Sequence, residues 1–215
     1  MAYTKEDAIR IVVSCAQVFE NELANRTLLL VLSDKQKRIS CIEFAFCGYH
    51  YLHLTGLKLL RKDSSANSPD ITAAMFYEKC LSHKLSPRDF AFAEDGTTTL
   101  KLDVLPYIIN KNLSARMVGD YDSLKPRLYT EKLAGGVKGC IGFVASQNGT
   151  FVPNTILKED IRNYSRNTLR VLAVLRKETD AEKYAELTYL AKGINLDLIE
   201  LPHEYDYLKH PDKDE

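Results

Sequence analysis

Excess charge of either sign is missing from this sequence, because 29 lysines and arginines balance 29 aspartates and glutamates. A protein that holds nucleic acid through its overall charge is basic, so binding to a polyanion has to come from a local cluster of cations. Long apolar runs are missing as well, since none approaches the ~18 residues of a membrane span. The opening MAYTKEDAIR lacks the apolar core of a signal peptide. We therefore expect a cytoplasmic protein that does not contact a membrane.

Motifs of metal and cofactor chemistry are also missing. The five cysteines are scattered and include no Cys-x-x-Cys pair, a spacing that does not favour a zinc site. The chain has no His-Glu-x-x-His, Gly-x-Ser-x-Gly or Gly-x-Gly-x-x-Gly motif. This argues against a metalloprotease, an α/β-hydrolase and a dinucleotide-binding protein. We expect neither a metal nor another cofactor.

The patterns that are present predict an α+β fold. Thr4 suits the N-cap of a first helix whose apolar residues recur at helical spacing. The segments RTLLLVLSD and RISCIEFAFCG flank a polar turn and predict a β-hairpin. Four later segments are typical of strands: SARMVGDY, GCIGFVAS, GTFVPNTIL and NTLRVLAVLRK. Turns rather than regular crossover helices separate them, which favours a mostly antiparallel sheet with helices packed on it.

Further helices are predicted between and after these strands. One follows Ser68 as its cap and Pro69 at its first position, and SPRDF repeats that signature for a single helical turn. Another surrounds Pro106, which would interrupt or start it. A last helix covers DAEKYAELTYLAKG and ends at Gly193. The acidic tail beyond it is expected to be frayed and solvated.

The segment YHYLHLTG, residues 49–56, concentrates histidine and tyrosine. A strand would place Tyr49, Tyr51, His53 and Thr55 on one face, whereas a helix would make His50 and His53 neighbours. The pattern leaves both conformations open. His53 is either a half-buried histidine bonded to a backbone carbonyl or a general acid or base.

Cations, hydroxyl groups and glycines cluster between Gly119 and Gly139. From Lys125 to Lys138 four cations accompany one acid, a local charge of +4 − 1 = +3. Ammonium and guanidinium groups make charge-assisted hydrogen bonds to phosphate, so this stretch is a candidate phosphate site; the alternative is a solvated loop. It is not a P-loop, because the required spacing is absent. The candidate residues are Lys125, Arg127, Tyr129, Thr130, Lys132 and Lys138.

A third stretch, FVPNTILKEDIR, offers a second source of polar side chains. Pro153 and Asn154 either end a strand, or Asn154 and Thr155 line a site. The sequence supports both interpretations.

The order of these stretches resembles that of one known family. HLTG is followed by FYEKCLSHKLS, GDYDSLKPRLYTEKLAGG, GCIGF, FVPNTILKEDIR and a closing strand with Lys177. This is similar to the fourth phage subgroup of the barnase–EndoU–colicin–RelE-like nucleases, over roughly Phe44 to Lys177. The resemblance implies that N-terminal helices and a hairpin precede a mostly antiparallel four-stranded sheet. It also implies carriage by phages or mobile elements and metal-independent cleavage of RNA.

The resemblance also suggests domain limits. Residues 1–40 hold the first helix and strand, residues 41–178 form the nuclease-like domain, and residues 179–215 form a C-terminal helix and acidic tail. We expect one compact domain overall.

The same resemblance assigns roles to the candidate residues. Cleavage by the ribose 2′-hydroxyl requires a base, an acid and cations that stabilise the phosphorane. His53 takes one proton-transfer role, Tyr129 or a displaced His50 takes the other, and Thr55 and Thr130 orient the reacting groups. The phosphate would be held by Arg127 and Lys132, with Lys125, Thr130 and Lys138 beside them.

Two other functions fit the sequence. The chain is alternatively a binding module that captures RNA, a nucleotide or a host defence protein without cutting it. It is otherwise an intracellular toxin restrained by an antitoxin-like partner. A net charge of zero suits capture at least as well as cleavage.

Overall fold

The computed structural model describes residues 3–60, 70–124 and 128–209. The helices and strands follow in this order: α1 (Lys5–Glu22), β1 (Arg26–Ser33), β2 (Ile39–Phe46), α2 (Tyr51–Thr55), β3 (Leu57–Leu59), α3 (Ala73–Leu81), β4 (Phe90–Phe92), α4 (Thr97–Ile108), β5 (Met117–Tyr121), β6 (Lys132–Gly135), β7 (Cys140–Ala145), β8 (Phe151–Leu157), β9 (Ser165–Glu178) and β10 (Glu186–Leu190). Short 3-10 turns cover Gly48–His50, Ile161–Asn163, Leu196–Leu198 and His203–Lys209. Among the described residues, no helix is both long enough and apolar enough to cross a membrane.

The first helix and the hairpin are confirmed. The Thr4 hydroxyl accepts a hydrogen bond from the Asp7 N–H at 3.1 Å, and the Asp7 carboxylate accepts one from the Thr4 N–H at 3.0 Å. This reciprocal pair fixes the start of α1. Strands β1 and β2 pair antiparallel, from Arg26 opposite Phe46 to Ser33 opposite Ile39.

The predicted four-stranded, mostly antiparallel sheet is wrong, although the α+β class holds. Within the described residues the strands run β1-β2-β8-β7-β6-β5-β9, and β9 also pairs with β1, so seven strands close into a cylinder. Most neighbours are antiparallel, but β2 and β8 are parallel and meet where Phe44 lies opposite Phe151. The hairpin thus joins the same sheet as the later strands, because both of its outer edges find partners.

Strand β1 shows why the sheet closes. Its side chains from Thr27 to Leu32 are all buried, on both faces. Leu28 and Leu30 face the core shared with helices α1–α4, whereas Leu29 and Val31 face a second core under the C-terminal segment. A strand covered on both faces reads as a continuous apolar run, and RTLLLVLS is such a run.

The predicted C-terminal helix is also wrong. Strand β10 lies in its place and pairs with β9, beyond the stretch of β9 that pairs with β5. Pairing with an open sheet edge here outweighs local helix propensity, which is a weak preference. Part of the expected tail, His203–Lys209, forms a 3-10 turn that buries Leu208 against the second core.

Two further helix predictions need correction. Pro106 neither starts nor interrupts α4, because it lies in the last turn of that helix. SPRDF is a turn, closed by the Asp89 N–H donating to the Ser86 carbonyl at 3.0 Å. The predicted cap at Ser68 and Pro69 lies outside the described residues, and the N-cap of α3 is Thr72.

Candidate active site

The segment YHYLHLTG forms a helical turn, which resolves the two conformations left open by its sequence. The 3-10 turn Gly48–His50 continues into α2, and Gly56 ends the helix in the left-handed conformation with φ of 71°. Glycine adopts that conformation without steric cost. The helix turns His50, Tyr51 and Thr55 into the protein and leaves Tyr49 and His53 exposed.

The side chains of His50 and Thr55 are buried and bonded to nearby backbone groups. The Nδ1 atom of His50 accepts a hydrogen bond from the Cys47 N–H at 3.0 Å. Burial, together with the nearby His53, lowers the pKa of His50 to about 4. The Thr55 hydroxyl is fully buried, donates to the Leu52 carbonyl at 2.8 Å and accepts from the Leu57 N–H at 3.1 Å. Both side chains hold the backbone of this turn.

His53 instead lies beside two lysines. The Lys101 ammonium, from α4, donates to the His53 carbonyl at 2.9 Å, and Lys58 follows α2 on β3. Partial desolvation, then the charges of Lys101 and Lys58, lower the pKa of His53. Desolvation, then Lys58, lower the pKa of Lys101 to about 8, against an opposing effect of Asp95. An imidazole and two ammonium groups therefore share one patch, the α2 site.

Sequence reasoning missed both lysines of the α2 site. Lys58 is close to His53 in the chain, but nothing in HLTGLKLL marks it as functional. Lys101 is 48 residues from His53 and reaches it because α4 packs on α2. The Thr98 hydroxyl donates to the Gly56 carbonyl at 2.7 Å and fixes that contact.

The polar residues of β8 form a second group. The Thr130 hydroxyl donates to Asn154 Oδ1 at 2.7 Å, and the Asn154 amide donates to the Tyr129 carbonyl. A Cβ at position 142 would lie 2.5 Å from Thr130 Oγ1, so Gly142 permits this close approach. Thr155 is buried opposite Gly142, and the Tyr129 side chain is 86% exposed.

Strand β8 does not end at Pro153 and Asn154, which lie within it at a bulge opposite β7. Helix α2 and the turn before it pack against β8. The strand that carries Asn154 and Thr155 is therefore a neighbour of the helix that carries His53.

Lys132 lies elsewhere. Its ammonium pairs with the Asp120 carboxylate, which also accepts from the Asn167 amide at 3.0 Å. These three side chains line a cavity of about 380 Å³ that includes the first residues of β2 and none of α2. None of the α2-site residues His53, Lys58 and Lys101 lines this cavity, so Lys132 and the α2 site belong to separate groups.

Lys138 is not part of either group. The Lys138 ammonium lies 5.7 Å from the centroid of the Tyr107 ring, in a surface cleft with Lys158 and Asp103. Lys125 and Arg127 lie outside the described residues. Nowhere in the described parts of the chain do three histidine, cysteine or carboxylate side chains converge as metal ligands.

A known protein family matches most of this chain. The model of the family described as phage-Barnase-EndoU-ColicinE5/D-RelE like nuclease4 matches residues 11–193. The chain belongs to this family. No curated protein and no solved structure matches it.

Membership in this phage-associated nuclease-like family gives the α2 site a chemical context. An exposed imidazole with a lowered pKa can accept a proton at neutral pH, and ammonium groups can bind phosphate oxygens. Both kinds of group occur at the α2 site.

Proposed function

We propose that this chain is a metal-independent endoribonuclease whose active site is the α2 site. The observation that carries the proposal is the exposed His53 imidazole beside the ammonium groups of Lys58 and Lys101. Family membership supports a nuclease-like role. The choice of RNA, and of the 2′-hydroxyl as nucleophile, rests on this set of one base and two cations, which suits that chemistry without a metal ion.

In the proposed reaction, neutral His53 accepts the proton of the ribose 2′-hydroxyl. The 2′-oxygen forms a bond to the adjacent phosphorus while the bond from phosphorus to the 5′-oxygen breaks. Lys101 gives a proton to the departing 5′-oxygen, so the products are a 2′,3′-cyclic phosphate and a 5′-hydroxyl. An ammonium group has three N–H bonds, and the contact with the His53 carbonyl uses one. Lys58 offsets the charge that develops on the phosphorane.

The shifted pKa values support these roles. Desolvation and the two lysines favour the neutral imidazole, which is the form that acts as a base. A lysine with a pKa of about 8 is still mostly protonated at pH 7, yet it releases its proton more readily than an ordinary lysine. Base and acid are thus both in the required protonation state near neutrality.

Several other predicted residues take supporting roles in this proposal. Tyr129 and Thr130, held by Asn154 on the strand next to α2, would contact the RNA chain beside the reacting phosphate. Thr55 and His50 would act by holding the helix rather than by touching substrate.

The test is incubation of the protein with mixed cellular RNA in the presence of a chelator. His53→Ala keeps the backbone carbonyl that binds Lys101, so we expect it to fold normally and to cleave about 10²–10⁴-fold more slowly. Lys101→Met, which retains side-chain length but not charge, should also lose activity. The matched controls are His83→Asn and Lys192→Met, which change exposed residues outside α2. Asparagine is chosen at position 83 because it tolerates the left-handed backbone there, where φ is 56°.

Equal decay rates for parent and His53→Ala would refute the proposal, and so would loss of the parent activity in chelator. Product ends provide a second check, because a 3′-phosphate or cyclic phosphate is expected and a 3′-hydroxyl is not.

A second candidate is capture of RNA without cleavage, which a net charge of zero suits at least as well as cleavage. In that case the parent protein would retain RNA in a stable complex, the RNA would stay intact, and Lys101→Met would weaken the complex.

A further inference from the structure

Tyr49 occupies the same exposed helical face as His53. The two residues are four apart, and the chain between them is helical, since the 3-10 turn Gly48–His50 runs directly into α2. Side chains at this spacing lie about 5–6 Å apart at their Cβ atoms. The intervening His50 and Tyr51 are buried, whereas Tyr49 and His53 are both exposed at the protein surface.

The Tyr49 ring is fixed in place although it is exposed. Its centroid lies 4.3 Å from the centroid of the His50 ring, at an interplanar angle of 63°. Desolvation, the nearby Cys47 thiol and a hydrogen bond between the two side chains raise the pKa of the tyrosine. The backbone beneath the ring is also confined, because a Cβ at Gly48 would lie 2.6 Å from the Tyr77 ring. A side chain with these contacts still exposes 53% of its surface.

We propose that Tyr49 is a stacking platform for an unpaired nucleobase, and that the substrate of the α2 site is single-stranded RNA. This inference rests on the proposed function, because the α2 site is proposed to act on a ribose phosphate. Stacking on an aromatic ring needs a base that has left its own stack, as bases in single-stranded loops and ends do. In a duplex the faces of the bases are already covered.

The charges around the ring fit the same ligand. Lys58 and Lys101 lie on the His53 side of the patch, where they suit the phosphate backbone, and Tyr49 extends it with an apolar aromatic surface. Proteins that bind single strands combine a cationic track with aromatic platforms in this way. One nucleotide would therefore place its base on Tyr49 and its phosphate at His53.

The test measures binding to an oligonucleotide that cannot be cut. A mixed-sequence 2′-O-methyl RNA strand lacks the nucleophilic hydroxyl, so its dissociation constant, measured by fluorescence anisotropy, reports binding alone. Tyr49→Leu keeps apolar bulk over His50 but removes the planar ring, and we expect it to weaken binding about 5–100-fold. Tyr49→Phe keeps the ring and should bind within about 3-fold of the parent, because the hydroxyl is not the stacking group. The fully paired duplex of the same strand should bind more weakly and equally to all three proteins.

Equal affinity of Tyr49→Leu and parent for the single strand would overturn the inference. So would a loss in Tyr49→Phe as large as in Tyr49→Leu, tight duplex binding, or absence of binding by the parent. Circular dichroism of each variant checks that the fold is retained. Failure of the proposed function is visible separately, as natural RNA that the parent leaves uncut while Tyr49 still contributes to binding.

Discussion

Acidification should destabilise this protein through one buried histidine. His50 is 6% exposed, and its Nδ1 accepts a hydrogen bond from the Cys47 N–H. If Nδ1 carried a proton, it would face the Cys47 N–H as a second donor. Burial would also deprive the charged ring of its hydration. Burial, with a smaller contribution from His53, accordingly lowers the pKa from 6.5 to about 4.

The sign and size of the effect follow from the two pKa values. The unfolded chain binds a proton at about 6.5, whereas the folded chain resists it until about pH 4. Between these values the unfolded state holds more protons, so the free energy of unfolding rises with pH through this window. One pKa unit is worth about 1.4 kcal/mol, so this group alone lowers the free energy of unfolding by about 3 kcal/mol below pH 4.

The assay compares urea unfolding of the parent and of His50→Asn between pH 7.5 and pH 4, followed by circular dichroism. Asparagine does not titrate, and its side-chain oxygen can accept from the Cys47 N–H. The parent should lose about 3 kcal/mol more than the variant over this range. His83→Asn, at an exposed position, should behave as the parent does. Parallel pH profiles for the parent and His50→Asn would show that the reasoning about His50 is wrong.

Two further predictions concern the α2 site. The cleavage rate should rise as pH increases through the lowered pKa of His53 and fall above about 8, where Lys101 loses its proton. The residual cleavage by Lys101→Met should lack this alkaline fall. A fall of the parent rate near the ordinary lysine pKa would contradict the assignment. Thr55→Val leaves the buried Leu57 N–H without its acceptor and should lower the free energy of unfolding by about 1–3 kcal/mol. Cleavage per folded molecule should stay at the parent value, and a large drop in cleavage without destabilisation would give Thr55 a direct role.

Local signals account for the parts of the fold that the sequence predicted. The cap at Thr4 and the hairpin of β1 and β2 each depend on residues close together in the chain, so their patterns are complete in short windows. The turn between β7 and β8 is similar, because QNG precedes Thr150 and Gly149 adopts a positive φ of 81°.

Closure of the sheet has no such signal. Pairing of β1 with β9 joins Arg26 to Glu178, and the parallel contact of β2 with β8 joins Phe44 to Phe151. These partners are set by which edges remain open once the other strands have paired. The helix predicted over β10 failed for the same reason, since an open edge of β9 was available to that segment.

The candidate site also contains residues that local sequence signals predicted and residues that they missed. His53 was predicted from a short motif, and Asn154 was predicted as one of two possibilities, because unusual side chains concentrate there. Lys101 was missed, because its contact with His53 exists only after α4 packs on α2. Lys132 looked like a partner of His53 in the sequence, yet its charge pairs with Asp120 inside a separate cavity.

The difference between the two histidines of YHYLHLTG is produced by the helix rather than by the residue type. The two residues are neighbours on the helical turn, but His50 lies on the buried side of its boundary and His53 on the exposed side. The buried ring of His50 accepts a hydrogen bond from the backbone and contacts the Tyr49 ring, while His53 is exposed and lies near two lysines. A structural histidine thus positions an aromatic surface beside a histidine suited to proton transfer. For that reason the proposed cleavage site and the proposed base platform depend on the same short turn, whereas a strand at this position would keep Tyr49 and His53 on one face but about 13 Å apart.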